Sequence, residues 1–129
     1  MKQNGIITNS ETTTYYKNGK IHREDGPAIE WKNGNRHWLL NDRLHRTDGP
    51  AIDLVETELE CTVKKWSING KYHREDGPAV EFGNGYKEWW MNGVQYSKEE
   101  FNQWLEKYQL NKKLEATLEE KPSVKKVKI

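Results

Sequence analysis

The stretch His22-Arg23-Glu24-Asp25-Gly26-Pro27-Ala28 decides the fold of this chain, and it occurs three times, once with threonine in place of the glutamate. Its second and third occurrences run from His45 to Ala51 and from His73 to Ala79. Each occurrence follows an aromatic residue and a turn dipeptide, and a fourth such flank begins at Trp89 without another copy of the stretch after it. Because an internal repeat implies an array of similar units, we expect the chain to stack such units side by side. The turn dipeptides are Asn18-Gly19, Asn41-Asp42, Asn69-Gly70 and Asn92-Gly93.

The spacing of the turn asparagines defines the copies. From Asn18 to Asn92 the successive separations are 23, 28 and 23 residues, so the second copy carries five extra residues. We expect a longer hairpin around Thr57-Glu58 to accommodate them. A β-repeat domain is predicted over residues 1–96, and its divisions are copy one near 15–38, copy two near 38–66, copy three near 66–89 and a partial copy at 89–96.

Two kinds of turn chemistry divide each copy into short strands. Asn-Gly between aromatic segments predicts a type I′ hairpin turn, in which both central residues have positive φ. In the Asp-Gly-Pro-Ala run, the aspartate can accept backbone hydrogen bonds, the glycine accommodates unusual φ, and the proline removes a donor. Alternating segments between the turns predict a mainly β meander of short antiparallel strands. The predicted strands are 12–17, 28–32, 35–40, 51–56, 61–68, 79–82 and 86–91, with return arms at 20–22, 43–45, 71–73 and 94–96.

The period changes from two to 3.6 residues at Ser97. Ser97 and Glu100 form a capping box, and Phe101, Trp104, Leu105 and Tyr108 follow at helical spacing. We expect a C-terminal helix within 97–120, strongest over 98–110, that caps the open end of the sheet, because terminal units of repeat arrays need covering. The remaining residues, 121–129, are predicted to be a basic disordered tail.

Composition disfavours several classes of partner. The chain has 21 basic and 20 acidic residues, so no large field of one sign attracts nucleic acid or anionic membranes. Its single cysteine, Cys61, excludes an intrachain disulfide framework and suits a reducing compartment. No apolar run approaches the roughly 20 residues of a membrane helix, and the N-terminus lacks a signal-peptide core. These features predict a cytoplasmic protein without a membrane partner.

The repeated unit Trp-x-x-Asn-Gly-x-x-His-Arg-x-Asp-Gly-Pro-Ala resembles repeats in small proteins of bacteriophages and bacteria. More distantly, it resembles the MORN class of β-hairpin repeats, which form elongated antiparallel sheets and serve as scaffolds or partner-binding surfaces. The first resemblance implies an accessory protein that acts on a host bacterial factor in the host cytoplasm.

The repeated polar residues favour structural roles over catalysis or metal binding. Strands lie roughly 4.8 Å apart, so equivalent histidines of successive two-stranded copies are about 10 Å apart and cannot share one zinc ion. No nucleophile, phosphate-loop or metalloprotease motif occurs, so we predict neither catalysis nor a cofactor. We expect the turn runs to be tied to their neighbours by His22, His45, His73, Asp25, Asp48 and Asp76.

Two binding hypotheses stay open. The first is a protein-binding module whose exposed surface lies near the partial fourth copy, at Trp90 beside Tyr86 or Lys87, because tryptophan and tyrosine favour interface hot spots. The second is a nucleotide or nucleic-acid binder, in which exposed aromatics stack on bases and arginines contact phosphates. The arginines that either role could use are Arg23, Arg46 and Arg74.

Overall fold

The computed structural model describes residues 2–55, 57–58 and 60–119. In this part of the chain, fourteen β-strands are followed by one α-helix, which confirms the mainly β, antiparallel class with a C-terminal helix. The chain divides into a β unit that ends at Tyr96 and a helical unit that begins at Ser97. The predicted tail, 121–129, lies outside the described residues.

The β unit is built around one antiparallel sheet of ten strands. The strands of this unit are β1 Gly5–Thr8, β2 Thr12–Lys17, β3 Lys20–Ile21, β4 Ile29–Trp31, β5 Arg36–His37, β6 Leu39–Leu40, β7 Arg43–Leu44, β8 Ile52–Leu54, β9 Val63–Lys65, β10 Ser67–Ile68, β11 Lys71–Tyr72, β12 Val80–Phe82, β13 Lys87–Met91 and β14 Val94–Tyr96. The order of the main sheet is β1-β2-β4-β5-β8-β9-β12-β13-β14, with β3 paired to β2. The pairs β6-β7 and β10-β11 form two-stranded hairpins beside it.

The four turn dipeptides have the backbone that their residues predicted. Asn18, Asn41, Asn69 and Asn92 have φ between 49° and 51°, and the residue after each also has positive φ. In copy two that following residue is Asp42, with φ of 66°, where the other copies have glycine. Its side chain accepts a hydrogen bond from Ile21 N at 2.7 Å. Asp42 therefore joins copy two to copy one while occupying a left-handed conformation.

Two of the predicted strands are wrong as continuous elements. The segment 35–40 divides at Trp38 into β5 and β6, and 61–68 divides at Trp66 into β9 and β10. At each break the backbone N–H of the tryptophan donates to the carbonyl oxygen of a buried alanine in the next turn run. Trp38 bonds to Ala51 at 2.7 Å, and Trp66 bonds to Ala79 at 2.7 Å. Beyond the break, the chain leaves the main sheet to pair with its own return arm.

An additional strand, β1, was not predicted. It lies at the edge of the sheet and pairs with β2, so Thr13 is opposite Thr8. Just before it, Asn4 Oδ1 accepts a hydrogen bond from Asn18 N at 2.8 Å. The N-terminal residues thus contribute a strand and a turn contact to copy one.

The two sheet faces differ in character. On one face, strand pairing carries a row of alternating charges across six strands, Glu30, Arg36, Asp53, Lys64, Glu81 and Lys87, which we call the charge ladder. The fully buried Ala28, Ala51 and Ala79 lie two residues from its carboxylates and hence on the same face. The opposite face carries mainly apolar and aromatic side chains, among them Ile29, Trp31, Ile52, Leu54, Val63, Val80, Phe82 and Trp90.

The helical unit begins with the predicted capping box. Ser97 Oγ accepts from Glu100 N at 3.1 Å, and Glu100 Oε1 accepts from Ser97 N at 2.8 Å. Helix α1 spans Lys98–Glu119 and therefore extends well beyond 98–110. Phe101 is buried, whereas the later leucines at 110, 114 and 118 are exposed. Within the described residues no helix has the length and apolarity that crossing a membrane requires.

Candidate functional site

Each repeated arginine lies over the ring of the aromatic residue that precedes its own turn. The guanidinium carbon is 4.0 Å from the ring centroid of Tyr15 for Arg23, 3.8 Å from that of Trp38 for Arg46, and 3.7 Å from that of Trp66 for Arg74. The arginine side chains are only 21–24% exposed. These are cation–π contacts, which strengthen as the cation loses water.

The glycine of each turn run lies directly beneath the guanidinium. A Cβ atom at Gly49 would lie 2.8 Å from Arg46 Cζ, and one at Gly26 would lie 2.9 Å from Arg23 Cζ. Neither glycine has positive φ, and neither does Gly77. The sequence-based expectation of an unusual φ at these positions is therefore wrong. The absence of a side chain matters because it leaves room for a guanidinium between the turn and the ring.

The turn aspartates pair with the arginines. Oδ1 of Asp25, Asp48 and Asp76 accepts from the Nε of the arginine two residues earlier, at 3.0, 2.8 and 2.8 Å. The arginine Nη1 donates in turn to the carbonyl oxygen of the following proline, at 3.0–3.2 Å. The hydrogen bond and charge of Arg46 lower the pKa of Asp48. The arginine is thus the main partner of this carboxylate, where the sequence suggested a backbone donor.

The repeated histidines join one copy to the next. Nδ1 of His22 accepts a hydrogen bond from Asn41 N, Nδ1 of His45 accepts from Asn69 N, and Nδ1 of His73 accepts from Asn92 N, each at 3.0 Å. The bond requires an unprotonated Nδ1. Each histidine therefore ties its copy to the Asn-Gly type turn of the following copy. The first turn, at Asn18, has Asn4 Oδ1 as its acceptor instead.

The use of an asparagine acceptor at the first turn and histidine acceptors at the later turns suggests a direct test. The Oδ1 of asparagine is separated from Cβ by the same number of bonds as the Nδ1 of histidine. We expect His45→Ala to lower the free energy of unfolding by about 0.5–1.5 kcal/mol, the net value of one hydrogen bond. His45→Asn should recover much of that loss. Urea denaturation of the two variants checks the order, and equal stabilities would contradict the proposed role of the acceptor.

These contacts give the repeated His-Arg pairs a structural role, because the histidines bond to the next turn and the arginines bond within their own turn run. Among residues 2–55, 57–58 and 60–119, no three His, Cys, Asp or Glu side chains come together in a way that could hold a metal ion. Burial and the charge of Lys65 lower the pKa of His37, which lies on the apolar face with its ring 4.7 Å from that of Trp31. The polar groups of the repeat are therefore occupied largely with one another.

The boundary between copy three and the partial fourth copy carries a different arrangement, centred on Glu88. Tyr86 Oη donates to Glu88 Oε2 at 2.7 Å, and Trp90 Nε1 donates to Glu88 Oε1 at 2.8 Å. Tyr86, Glu88 and Trp90 are each two residues apart, so the two aromatic side chains lie on the same face with the carboxylate between them. The hydrogen bond to Glu88 raises the pKa of the Tyr86 phenol. One carboxylate thus orients both aromatic side chains.

Two further rings extend this arrangement at its ends. Phe82 lies edge-to-face against Tyr86 with ring centroids 5.5 Å apart, and Tyr72 lies edge-to-face against Trp90 at 5.4 Å. We call Tyr72, Phe82, Tyr86, Glu88 and Trp90 the aromatic row. Tyr86 is 53% exposed and Trp90 is half-buried.

The sequence identified only part of the aromatic row. It selected Trp90 and Tyr86, which the structure brings together, and Lys87, which alternation places on the opposite face with the half-buried Trp89. It missed Glu88, although the spacing Tyr86-x-Glu88-x-Trp90 already indicates a shared face. Tyr72 could not be found in this way because it belongs to copy three and reaches Trp90 only through the stacking of copies.

Comparison with protein-family models, with curated proteins and with solved structures finds no match to this chain.

Proposed function

We propose that this protein is a non-catalytic protein-binding module and that the aromatic row is its contact surface. The observation that supports this proposal best is the double hydrogen bond to Glu88, which fixes Tyr86 and Trp90 before any partner arrives. Aromatic side chains held in place lose little conformational entropy on binding, so more of their burial contributes to affinity.

The repeat resemblance gives the proposal its biological setting. It favours a phage-encoded accessory protein that binds a host bacterial protein in the host cytoplasm and modulates or inhibits it. The internal contacts of the arginines argue for a protein partner over the nucleotide or nucleic-acid alternative. Arg23 and Arg74 each bond to two carboxylates and a carbonyl oxygen, so few donors are left for phosphate. A phosphate-binding role would have to displace these bonds.

A capture experiment with matched variants tests the proposal. The full chain, Trp90→Ala and Trp31→Ala are immobilised, and proteins retained from a bacterial lysate are quantified by mass spectrometry. Trp31 is the control because it is a half-buried tryptophan on the same sheet face in copy one. We expect a specific partner to bind the full chain and Trp31→Ala, and to bind Trp90→Ala about 30-fold more weakly, as loss of a hot spot of about 2 kcal/mol implies.

Two measurements decide the outcome. Thermal denaturation must show Trp90→Ala to be folded, since a folding defect would also abolish capture. Titration of the purified partner then gives the dissociation constant of each variant. Equal affinity of Trp90→Ala and the full chain would refute the aromatic row as the contact surface, and absence of any partner that distinguishes the variants would refute the protein-binding module itself.

A further inference from the structure

The three arginine stacks differ at one position. Arg23 Nη1 donates to Glu30 Oε1 at 3.1 Å, and Arg74 Nη1 donates to Glu81 Oε1 at 3.0 Å. The corresponding residue of copy two is Asp53, whose Oδ1 lies 3.5 Å from Lys64 Nζ instead. Among the contacts of the described residues, Arg46 Nη1 bonds only to Pro50 O, at 3.0 Å. Copy two thus retains the arginine but lacks the second carboxylate.

The physical reason is the length of the aspartate. Asp53 is one methylene shorter than Glu30 or Glu81, about 1.5 Å of reach. Like Glu81, which pairs with Lys64 and Lys87, Asp53 lies between two cations of the charge ladder, Arg36 and Lys64, so length is what distinguishes it. The shorter carboxylate therefore pairs with its cross-strand neighbour and leaves the Arg46 edge without an acidic partner.

A second difference in copy two acts in the same direction. Thr47 stands where the other copies have Glu24 and Glu75, so the residue next to Arg46 carries no negative charge. Carboxylates of the neighbouring copies line the two grooves beside Arg46, Glu24 and Asp25 in one and Glu75 and Asp76 in the other. Copy two therefore differs at two positions: Thr47 carries no charge, and the carboxylate of Asp53 pairs with Lys64 and not with Arg46.

In copies one and three, the glutamate that bonds to the arginine lies at a position open to solvent. The side chains of Glu30 and Glu81 are 39% and 33% exposed while bonded to their arginines. A carboxylate from another molecule can therefore approach the corresponding edge of Arg46. Arg46 also borders both surface grooves between successive turn runs, of about 530 Å³ toward copy one and about 810 Å³ toward copy three.

We propose that Arg46 is a binding site for a carboxylate of the protein partner, which takes the position that Glu30 and Glu81 occupy in copies one and three. This inference rests on the proposed protein-binding function and names one polar contact within it. The geometry favours a carboxylate over a phosphate because Asp48 Oδ1 is 2.8 Å from Arg46 Nε and repels a doubly charged group more strongly. Arginine matches the planar carboxylate with parallel N–H donors.

The test uses the other two arginines as internal controls. The ¹⁵N-labelled full chain is titrated with sodium acetate that replaces sodium chloride at constant ionic strength, and the Nε–Hε signals of Arg23, Arg46 and Arg74 are followed by NMR. We expect a saturable shift of the Arg46 signal, with much smaller shifts for Arg23 and Arg74. Equal responses of all three signals, or no response, would overturn the proposal, and a stronger response of Arg46 to inorganic phosphate than to acetate would overturn the assignment to a carboxylate.

The variant Asp53→Glu supplies the complementary arm. Its longer side chain restores the carboxylate that copies one and three have, so the acetate response of Arg46 should disappear while the melting temperature stays the same or rises. Persistence of the acetate response in this folded variant would contradict the proposed position of the ligand. The acetate titration needs no protein partner, so a failure at Arg46 is separate from a failure of capture through Trp90.

Discussion

Replacing Phe101 by alanine is expected to lower the free energy of unfolding by about 3–5 kcal/mol, the usual cost of deleting a buried phenylalanine side chain. Phe101 is 2% exposed, and it is the buried residue of helix α1. Its ring lies 6.0 Å from that of Trp104, which in turn stacks on Tyr108 at 4.9 Å. Urea denaturation followed by tryptophan fluorescence measures the loss.

The matched control lies on the same helix. Leu110 is 57% exposed, so Leu110→Ala should change the free energy of unfolding by no more than about 0.5 kcal/mol. Similar losses in the two variants would show that burial of Phe101 does not stabilise the chain. The predicted role of the helix as a cap adds a further expectation, that amides of the β unit exchange faster with solvent in Phe101→Ala than in Leu110→Ala.

Enlarging the alanine of a turn run is expected to cost about 1–3 kcal/mol, the usual penalty for overpacking a filled site. Ala51 is fully buried. Since Ile52 pairs with His37 and Lys65, the register places Ala51 opposite Trp38 and Trp66. The larger side chain of Ala51→Leu must therefore displace one of these rings, and Arg46 stacks on that of Trp38. Thermal and urea denaturation of the variant test this expectation.

Ala116 provides the same substitution where there is room for it. It lies on the exposed part of helix α1, so Ala116→Leu should leave stability nearly unchanged. A loss for Ala51→Leu no greater than that for Ala116→Leu would mean that the space between Trp38 and Trp66 can accommodate a larger side chain. The NMR signals of Arg46 report which group moves, since displacement of its guanidinium from the Trp38 ring changes their ring-current shift.

Local chemistry made the sequence informative about turns and about the helix start. An asparagine followed by glycine tolerates positive φ at both positions, and it specifies a tight hairpin wherever it occurs between aromatic segments. The Ser97–Glu100 capping box is equally local, because both of its hydrogen bonds join residues three positions apart. The period-two pattern then located the strands, apart from β1 and from the breaks at Trp38 and Trp66, where the chain leaves the main sheet to pair with its own return arm.

Part of the candidate site was also within reach of the sequence. Trp90 and Tyr86 were selected because the fourth copy is incomplete, and their shared face follows from alternation. Lys87 was placed with them although alternation puts it on the opposite face. The arginines were left open to contacts with a protein or with phosphate, because their stacking on Tyr15, Trp38 and Trp66 depends on how the return arm folds over the sheet, and no spacing in the chain shows that.

The sequence by itself therefore determined the repeat, the turn types, the mainly β class and the C-terminal helix, since each depends on residues close together in the chain. Tertiary structure alone decided what the repeated polar residues contact. His45 meets Asn69 24 residues later because copies stack, and Gly49 is required by the guanidinium above it and not by its own φ. Asp53 leaves Arg46 without a second carboxylate because its side chain is shorter than those of Glu30 and Glu81, and its Oδ1 lies 3.5 Å from Lys64 Nζ instead. Such contacts follow from distances between strands, which the order of residues does not specify.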